Sequence, residues 1–245
     1  MLFSIITPTS NSEKFLNQLI KSVKNQKCRD FEHIFIDNES SDKTIKILKK
    51  YQKEVNYNVQ IFSKRDKGIY YAFNKGLYFS KGKILTILNS DDFFSSNYTL
   101  LKVKNKFKRH NCNFLYGNIT VVSRNNISKK IRKWISESVS NSEFFKVPHP
   151  SFFVRKNFLK INKIRFNTNY QIASDLDFII KCFKKSKKFY FFDKELVRQR
   201  SGGTSQKILN IIKANYEVCK ILKSNNINYK LLFIYKKILF KLCQF

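Results

Sequence analysis

The sequence is poor in acidic residues, glycine and proline, and it has no long apolar run. Its 245 residues include 17 Asp and Glu against 48 Lys and Arg, with 6 Gly and 3 Pro. So little glycine and proline, together with 42% hydrophobic residues, excludes a collagen-like or low-complexity chain and favours a packed globule. No apolar run approaches the roughly 20 residues of a membrane-spanning helix. The N-terminus lacks the basic leader of a signal peptide, so we expect a cytoplasmic protein.

The net charge of +31 points to an anionic partner, such as a nucleic acid, an acidic membrane face or a phosphorylated substrate. The alternative is a general lysine bias, because lysines are spread through every segment of the chain. No arginine-rich tract or basic-aromatic repeat is present, so we expect no nucleic-acid partner. The 5 cysteines are scattered and lack a C-x-x-C pair, which indicates reduced thiols without a zinc site or disulfide framework.

Apolar runs typical of buried strands alternate with helical patterns in the first part of the chain. Strands are predicted over 3–8, 32–38, 58–64 and 83–88, and a helix follows each of the first three. This alternation predicts an α/β fold with a doubly wound, mainly parallel sheet and helices on both faces. Ligands of such sheets bind at the carboxyl ends of the strands. The scarce acids follow those ends, at Asp37, Asp66, Asp91 and Asp92.

The first strand–helix turn, TPTSNS (residues 7–12), contains no glycine. This argues against a G-x-G-x-x-G dinucleotide site and a P-loop, so the phosphates of a bound nucleotide would need another source of neutralisation. A divalent cation held by Asp91 and Asp92 would supply it, because hard carboxylate oxygens suit Mg²⁺ or Mn²⁺, which bridge to phosphate oxygens. The alternative is a turn in which the two aspartates cap the next helix.

The second half of the chain is less regular. A strand is predicted over 114–123, and Ser174 is predicted to cap a helix with Asp175 and Asp177 in its first turn. The last segment holds two lysine-rich helical patterns. They predict a basic helical extension over 206–245, which either docks on the core or lies on the anionic inner face of the cytoplasmic membrane.

Several segments come in an order that resembles the family 2 glycosyltransferases, in particular the small bacterial enzymes of polysaccharide and lipooligosaccharide assembly. The segments are SIITPTSNSEKFLNQLIKSVKNQ, FEHIFIDNESSDKT, RDKGIYYAFNKGLYFSKGKILTILNSDDFF, HPSFFVRK, ASDLDF and GGTS. The resemblance covers roughly residues 1–205 and implies a type A glycosyltransferase fold. We therefore expect a catalytic domain over 1–205, with a nucleotide-binding half (1–95) and an acceptor half (96–205).

The resemblance also implies the chemistry. It indicates inverting, metal-dependent transfer of a sugar from a nucleotide-sugar, usually a uridine diphosphate sugar. The acceptor in such pathways of cell-surface glycan assembly is a glycan or a lipid-linked sugar. By position, Thr7 and Pro8 would line the base and ribose pocket, and Asp37 would accept a hydrogen bond from the uracil ring. Asp66 would also belong to the nucleotide pocket.

The metal and catalytic positions are implied in the same way. Asp91 and Asp92 match the family's metal-and-ribose acidic motif, although Asn89 stands where many relatives have a further Asp. Asp175 matches the catalytic base, and Asp177 is the alternative. A positioned carboxylate that takes the acceptor's proton typically contributes about 10²–10⁴-fold to the rate.

Two other function classes remain open on the sequence. A nucleotidyltransferase would share the sheet and the acid pair, but it should carry a glycine-rich phosphate loop after the first strand. A basic nucleic-acid or membrane-binding module would explain the charge, but not the acids at successive strand ends. His149, in PHPS, is either a contact to donor phosphate or acceptor hydroxyl, or a structural loop histidine.

Overall fold

A computed structural model describes residues 1–139, 143–202 and 208–227, together with 233, 235–237, 239 and 240. Its helices are α1 (Glu13–Lys24), α2 (Thr44–Glu54), α3 (Ile69–Phe79), α4 (Thr99–His110), α5 (Lys156–Ile161), α6 (Ser174–Lys185) and α7 (Ile208–Ser224). Its strands are β1 (Phe3–Thr9), β2 (Phe31–Asp37), β3 (Val59–Ser63), β4 (Ile84–Ile87), β5 (Phe93–Phe94), β6 (Phe114–Val122), β7 (Lys130–Trp134), β8 (Phe153–Arg155) and β9 (Phe189–Arg200). Short 3₁₀ turns lie at Phe144–Lys146 and His149–Ser151.

The strands of the described residues form one sheet in the order β3-β2-β1-β4-β8-β6-β9-β5, with β7 beside β6. The first four strands in this order are parallel, and β6 is parallel to β9. Because β8 is antiparallel to both β4 and β6, the direction of β6 and β9 is the same as that of β1 to β4. The carboxyl ends of these strands therefore share one edge of the sheet, and the predicted mainly parallel α/β sheet is confirmed.

Helices cover both faces of the sheet. On one face α1, α2 and α4 share with the sheet a cluster of buried residues that includes Leu19, Leu48 and Val103. On the other face α3, α5, α6 and α7 share a second cluster. Because helices cover both faces of the sheet, all 7 residues of β2 are buried, including the polar residues Glu32, His33 and Asp37.

Close packing of α3 on β1 depends on a glycine. A Cβ atom added at Gly76 would lie 2.2 Å from Cγ2 of Ile6, so any larger residue would push the helix away from the strand. This contact matters for function because α3 begins directly beyond the carboxyl end of β3 and carries side chains to the edge described below.

The second half of the chain differs from its prediction in detail. The helix predicted from Ser174 is present, but Ala173 occupies the N-cap position and no side chain caps the helix, so the capping role of Ser174 is wrong. Strands β5, β7 and β8 are short and were not predicted. Part of the predicted 206–245 extension forms α7, whose residues Val218, Ile221 and Leu222 are buried in the same core as α6. Residues 203–207, including most of GGTS, and most positions after 227 lie outside the described residues.

Candidate active site at the carboxyl edge of the sheet

The acids that follow β2, β3 and β4 lie at the shared carboxyl edge. Thr9 and Asp37 are register partners at the ends of β1 and β2, and Asp37 is in turn the partner of Ser63 at the end of β3. The N-terminal end of β8 reaches the same edge, because Phe153 is the antiparallel partner of Thr86 near the end of β4. The fold thus gathers residues from distant parts of the sequence along one edge.

The carboxylate of Asp37 is fully buried and already has four protein donors. Oδ1 accepts hydrogen bonds from the hydroxyls of Thr9 (2.8 Å) and Ser40 (2.6 Å), and Oδ2 accepts from the Ser40 N–H (2.9 Å) and the Ser63 hydroxyl (2.8 Å). A carboxylate offers about four lone-pair positions. A uracil N–H would therefore have to replace one of these donors, and the predicted base contact of Asp37 stays a prediction.

The side chain of Thr7 faces the interior of the protein. Its hydroxyl donates to the Leu88 carbonyl (2.8 Å), and it accepts from Nε2–H of His33 (3.0 Å). Thr7 is fully buried, whereas Pro8 is partly exposed. Any contact of Thr7 with a nucleotide would therefore be made through its backbone, and Pro8 is the more accessible member of the predicted pair.

A buried histidine lies beneath this edge. Nδ1 of His33 lies 3.1 Å from the Tyr51 hydroxyl, and Tyr51 lies 2.7 Å from the Tyr57 hydroxyl. Because Thr7 donates to Leu88, His33 must donate to Thr7 from Nε2 and accept from Tyr51 at Nδ1. Burial lowers the pKa of His33 to about 3, so the imidazole is neutral and its tautomer is fixed by its neighbours. The chain of hydrogen bonds ends at Leu88, directly before the loop that carries Asp91.

Asp66 combines an ion pair with an unsatisfied oxygen. Its Oδ1 lies 2.5 Å from the Lys75 ammonium group, and its backbone N–H donates to Oδ1 of Asn38 (2.7 Å). Its Oδ2 is buried and has no hydrogen-bond partner among the residues that the structure describes. A buried acceptor without a donor is costly, so this oxygen is suited to receive a hydroxyl or N–H group from a ligand.

The adjacent Asp91 and Asp92 have different environments. Asp92 is 1% exposed, and it accepts hydrogen bonds from the Arg200 backbone N–H and the Asn89 side-chain amide, both at 3.2 Å. Burial, and then the nearby Asp91 carboxylate, raises the pKa of Asp92 well above its usual range. The side chain of Asp91 is 25% exposed, and its Oδ2 lies 3.4 Å from Nη1 of Arg124. Asp91 is therefore the member of the pair that a ligand can reach.

The described residues contain no group of three His, Cys, Asp or Glu side chains arranged to hold a metal ion. The site nevertheless fits an ion that is shared with a diphosphate. The carboxylate of Asp91 is accessible, and Oδ1 of Asn89 is buried without a hydrogen-bond partner in the described part of the chain. Mg²⁺ is commonly held by one or two carboxylates together with substrate phosphates and water. Asp92 could join only by giving up Arg200 and Asn89, so its metal role stays a prediction.

Two arginines lie beside Asp91. The guanidinium carbons of Arg124 and Arg200 lie 4.5 Å and 4.8 Å from the ring centroid of Phe15, and Nη1 of Arg200 donates to the Arg124 carbonyl (2.8 Å). Arg200 ends β9 and Arg124 follows β6, so both belong to the carboxyl edge. From the sequence, Arg200 before SGGTS is either a solvated residue or a phosphate contact. Arg124 was missed, because only the parallel pairing of β6 with β9 brings it here.

The two acids in the first turn of α6 are also distinct. Asp177 is 1% exposed, pairs with Lys181 (2.6 Å) and accepts a hydrogen bond from the Asn225 amide (3.0 Å). Asp175 is partly exposed, and its one hydrogen bond among the described residues comes from the Leu176 backbone N–H (2.8 Å). Of the two candidates for the base, Asp175 has the available carboxylate.

His149 reaches the same edge of the sheet through the 3₁₀ turn that precedes β8. Its ring stacks on Phe73 of α3, with centroids 5.5 Å apart. Burial lowers the pKa of His149, and the carboxylate of Asp175 partly opposes this effect. A neutral imidazole can both donate and accept a hydrogen bond.

The start of α6 is held by a residue that the sequence did not point out as functional. Glu217 of α7 is 5% exposed and accepts hydrogen bonds from three consecutive backbone N–H groups, those of Gln171, Ile172 and Ala173. A signal was present, since Glu217 is the only acid in residues 206–245. A single carboxylate in a lysine-rich helix is expected to have a specific partner.

The chain is similar in sequence to known glycosyltransferases. Residues 4–183 match the family described as Glycosyl transferase family 2. The chain is 30% identical over 186 residues to the "PGL/p-HBAD biosynthesis glycosyltransferase" of Mycobacterium bovis, with 74% of this chain and 70% of that protein covered. It is 27% identical over 187 residues to the poly(ribitol-phosphate) beta-N-acetylglucosaminyltransferase TarS of Staphylococcus aureus. That alignment covers 75% of this chain but only 32% of TarS.

Solved structures share the fold. The crystal structure of S. aureus TarS 1-349 in complex with UDP-GlcNAc has a TM-score of 0.73 at 23% identity, over 96% of this chain and 69% of that chain. The mannosyltransferase PcManGT from Pyrobaculum calidifontis, in complex with GDP-Man and Mn²⁺, has a TM-score of 0.68 at 15% identity, over 98% of this chain and 68% of that one. The type A glycosyltransferase fold that the sequence resemblance implied is confirmed.

Proposed function

We propose that this chain, which belongs to glycosyl transferase family 2 and is therefore a glycosyltransferase, moves a sugar from a uridine diphosphate sugar to an acceptor hydroxyl with inversion. The observation that carries the proposal is the grouping of Asp37, Asp66 and Asp91 at one sheet edge, beside a helix start that presents Asp175. Family membership favours this function over the nucleotidyltransferase and the basic binding module that the sequence left open.

The nucleoside of the donor would bind at the carboxyl ends of β1 to β3. Asp66 offers a buried oxygen without a partner, and Asp37 could exchange a serine hydroxyl for a base N–H. The diphosphate would then lie toward the end of β4. There Arg124 and Arg200 would neutralise the phosphates with their positive charge. In proteins with a glycine-rich loop, backbone N–H groups bind the phosphates instead.

A divalent cation, Mg²⁺ or Mn²⁺, fits this end of the donor site. Asp91 would hold it, with Asn89 as a neighbouring oxygen donor, and when bound it would offset the charge that builds on the departing diphosphate. Support for the ion comes from the accessible carboxylate of Asp91 and from PcManGT, whose structure is described as a complex with GDP-Man and Mn²⁺.

The chemical step requires a base on the opposite side of the sugar from the diphosphate. The acceptor oxygen would lose its proton to the Asp175 carboxylate as it bonds to the anomeric carbon. The bond from that carbon to the diphosphate oxygen would break, and its electron pair would leave with the diphosphate. His149, whose pKa is lowered by burial, would orient the acceptor hydroxyl as a neutral imidazole. Asp177, paired with Lys181, is not needed for this step.

The acceptor is proposed to be a glycan or a lipid-linked sugar of the cell surface, at the inner face of the cytoplasmic membrane. The name of TarS, a poly(ribitol-phosphate) beta-N-acetylglucosaminyltransferase, supports a polymeric acceptor. None of the described helices is long and apolar enough to cross a bilayer. However, α7 exposes Ile212 and Tyr216, which are 65% and 61% accessible, next to Lys213 and Lys220. Exposed apolar residues mixed with lysines suit an anionic membrane surface.

Membrane association is tested by co-sedimentation with vesicles. We expect binding to vesicles that contain an anionic lipid, with a decrease as salt rises, since each Lys near such a surface contributes about 1 kcal/mol. Replacing Ile212 and Tyr216 with serine should weaken it further. Equal sedimentation with neutral and anionic vesicles would exclude the proposed membrane contact while leaving the transferase function untouched.

The donor class is tested by thermal unfolding and calorimetry. Uridine diphosphate with Mn²⁺ should raise the melting temperature, and chelation of the metal should reduce the effect, because a ligand that binds only the folded state stabilises it. Adenosine diphosphate is the matched control. A panel of nucleotide sugars should then identify the donor from the release of free nucleoside diphosphate. No stabilisation by any nucleoside diphosphate would contradict the proposal.

A further inference from the structure

Residues 171–173, which lead into α6, are fixed from two sides. The Glu217 carboxylate accepts from the backbone N–H groups of Gln171 (2.8 Å), Ile172 (2.9 Å) and Ala173 (2.9 Å). From the opposite side, the Tyr70 hydroxyl of α3 donates to the Ile172 carbonyl (2.6 Å). The segment is therefore held between α3 and α7.

The hydrogen bonds of Glu217 have a specific geometry, and they offset the free-energy cost of burying its carboxylate. A buried carboxylate is costly unless it is fully hydrogen-bonded, and here its donors are successive N–H groups of one short segment. The contact also places negative charge at the N-terminus of α6, where the helix dipole favours it. Ala173 is the N-cap residue of α6 and lies two positions before Asp175. The backbone that carries Asp175 is thus held in place by α7.

We propose that Glu217 is a positioning residue for the transfer reaction, acting on Asp175 through the backbone of residues 171–173. The inference rests on the proposed function, because it needs Asp175 as the base. Glu217 is engaged with backbone N–H groups and touches neither substrate nor metal in this role. A displacement of about 1 Å at a reacting group can cost about 10²-fold in rate, so loss of the clamp should lower turnover without weakening donor binding.

The family match ends at residue 183, and Glu217 lies beyond it on α7. The catalytic arrangement would therefore depend on a helix outside the matched region. The donor edge of the sheet is the carboxyl edge with Asp37, Asp66 and Asp91. Truncation before α7 would be expected to leave this donor edge intact but to release the start of α6.

The test compares Glu217→Gln with a matched control, Asn225→Ala. Gln has nearly the same shape as Glu but replaces one acceptor oxygen with an amide donor, which faces the N–H groups unfavourably. Asn225 also links the end of α7 to α6, through Asp177, but it does not contact residues 171–173. For Glu217→Gln we expect kcat to fall at least tenfold while the dissociation constant for uridine diphosphate stays within twofold. Asn225→Ala should keep kcat within about twofold at a similar loss of melting temperature.

Amide hydrogen exchange supplies a readout that is independent of activity. Exchange at residues 171–173 should accelerate at least tenfold in Glu217→Gln, whereas amides in the middle of α6 should be unchanged. If Glu217→Gln does not fold, Glu217→Asp keeps the charge but shortens the reach, and the same pattern is expected on a smaller scale. Full-length protein is used throughout.

Several outcomes would overturn the inference. Accelerated exchange with kcat within twofold would show that the clamp does not serve catalysis, and unchanged exchange would show that Glu217 does not hold the segment. A parallel loss of kcat and donor affinity would assign Glu217 a general structural role. If the wild-type protein consumes no nucleotide sugar, the proposed function fails and this role in it fails as well. Wild-type turnover retained in Glu217→Gln would refute the positioning role alone.

Discussion

The donor edge of the sheet and the start of α6 are built in different ways. At the donor edge each acid follows its own strand, and strand pairing alone brings Asp37 and Asp91 to the same side of the molecule. At the start of α6 the candidate base Asp175 depends on hydrogen bonds from a helix more than 30 residues later in the chain. The proposed donor site thus depends on the pairing of parallel strands, whereas the proposed position of the base depends on long-range packing. The two functions should be separable by mutation.

The strongest test of this separation is Asp175→Asn. Asparagine keeps nearly the same shape and can still accept from the Leu176 N–H, but it cannot take a proton. We expect kcat to fall at least about 10²-fold, with donor affinity within a few-fold, because only a role in the transition state is removed. Steady-state kinetics and calorimetry on the same preparation measure both quantities. Near-wild-type turnover would place the base elsewhere.

The converse result is expected at Asp91. Asp91→Ala removes the accessible carboxylate, so Mn²⁺-dependent affinity for uridine diphosphate should fall at least about tenfold with little change in thermal stability. Asp92→Ala should instead destabilise the fold by about 1–3 kcal/mol, because it leaves the Arg200 N–H and Asn89 amide without their acceptor. If Asp92→Ala abolished metal-dependent binding in a fully stable protein, Asp92 would be the metal ligand and the assignment to Asp91 would be wrong.

The hydrogen-bond chain beneath the donor edge predicts a pH effect on stability. Folding lowers the pKa of His33 to about 3, so the unfolded chain takes up a proton below about pH 6.5 that the folded protein does not. The free energy of unfolding should therefore decrease as pH falls below that value, by about 2 kcal/mol between pH 7.5 and pH 5 from this group. Urea unfolding at several pH values measures it.

The matched variant for this experiment is His33→Asn, which does not titrate. Asp92 has a raised pKa in the folded protein and contributes in the opposite direction, so its stabilising effect is present at low pH and is lost as pH rises. Taking the difference between wild type and His33→Asn removes that contribution. An identical pH dependence in both proteins would mean that His33 is not held neutral in the fold.

The smallest effect on turnover is expected at Asp177. Asp177→Asn keeps an acceptor for the Asn225 amide but loses the ion pair with Lys181, so some stability should be lost. Turnover should stay within a few-fold of wild type, because this side chain faces α7 and is buried. A loss comparable to that of Asp175→Asn would reverse the assignment of the base.

The sequence predicted the donor edge better than the start of α6, and the difference has a physical origin. Alternating apolar runs predict parallel strands, and their carboxyl ends meet wherever the sheet forms, so Asp37, Asp66 and Asp91 could be grouped without a structure. The burial of Asp92 could not be predicted, because its partner Arg200 lies on β9, far away in the sequence. Arg124 was missed for the same reason. Glu217 could be noticed as a single acid in a lysine-rich segment, but its partners at residues 171–173 are brought to it only by the packing of α7.

The most direct test of the account is the configuration of the first sugar released from an α-linked uridine diphosphate donor. The full-length protein would be incubated with the donor selected from the nucleotide-sugar panel, and the reaction followed by proton NMR with water as the acceptor. A base at Asp175 that delivers oxygen opposite the departing diphosphate predicts that the β anomer forms first, together with free uridine diphosphate. Initial release of the α anomer would contradict single-step inversion, and failure to release nucleoside diphosphate from any donor would contradict the proposed function itself.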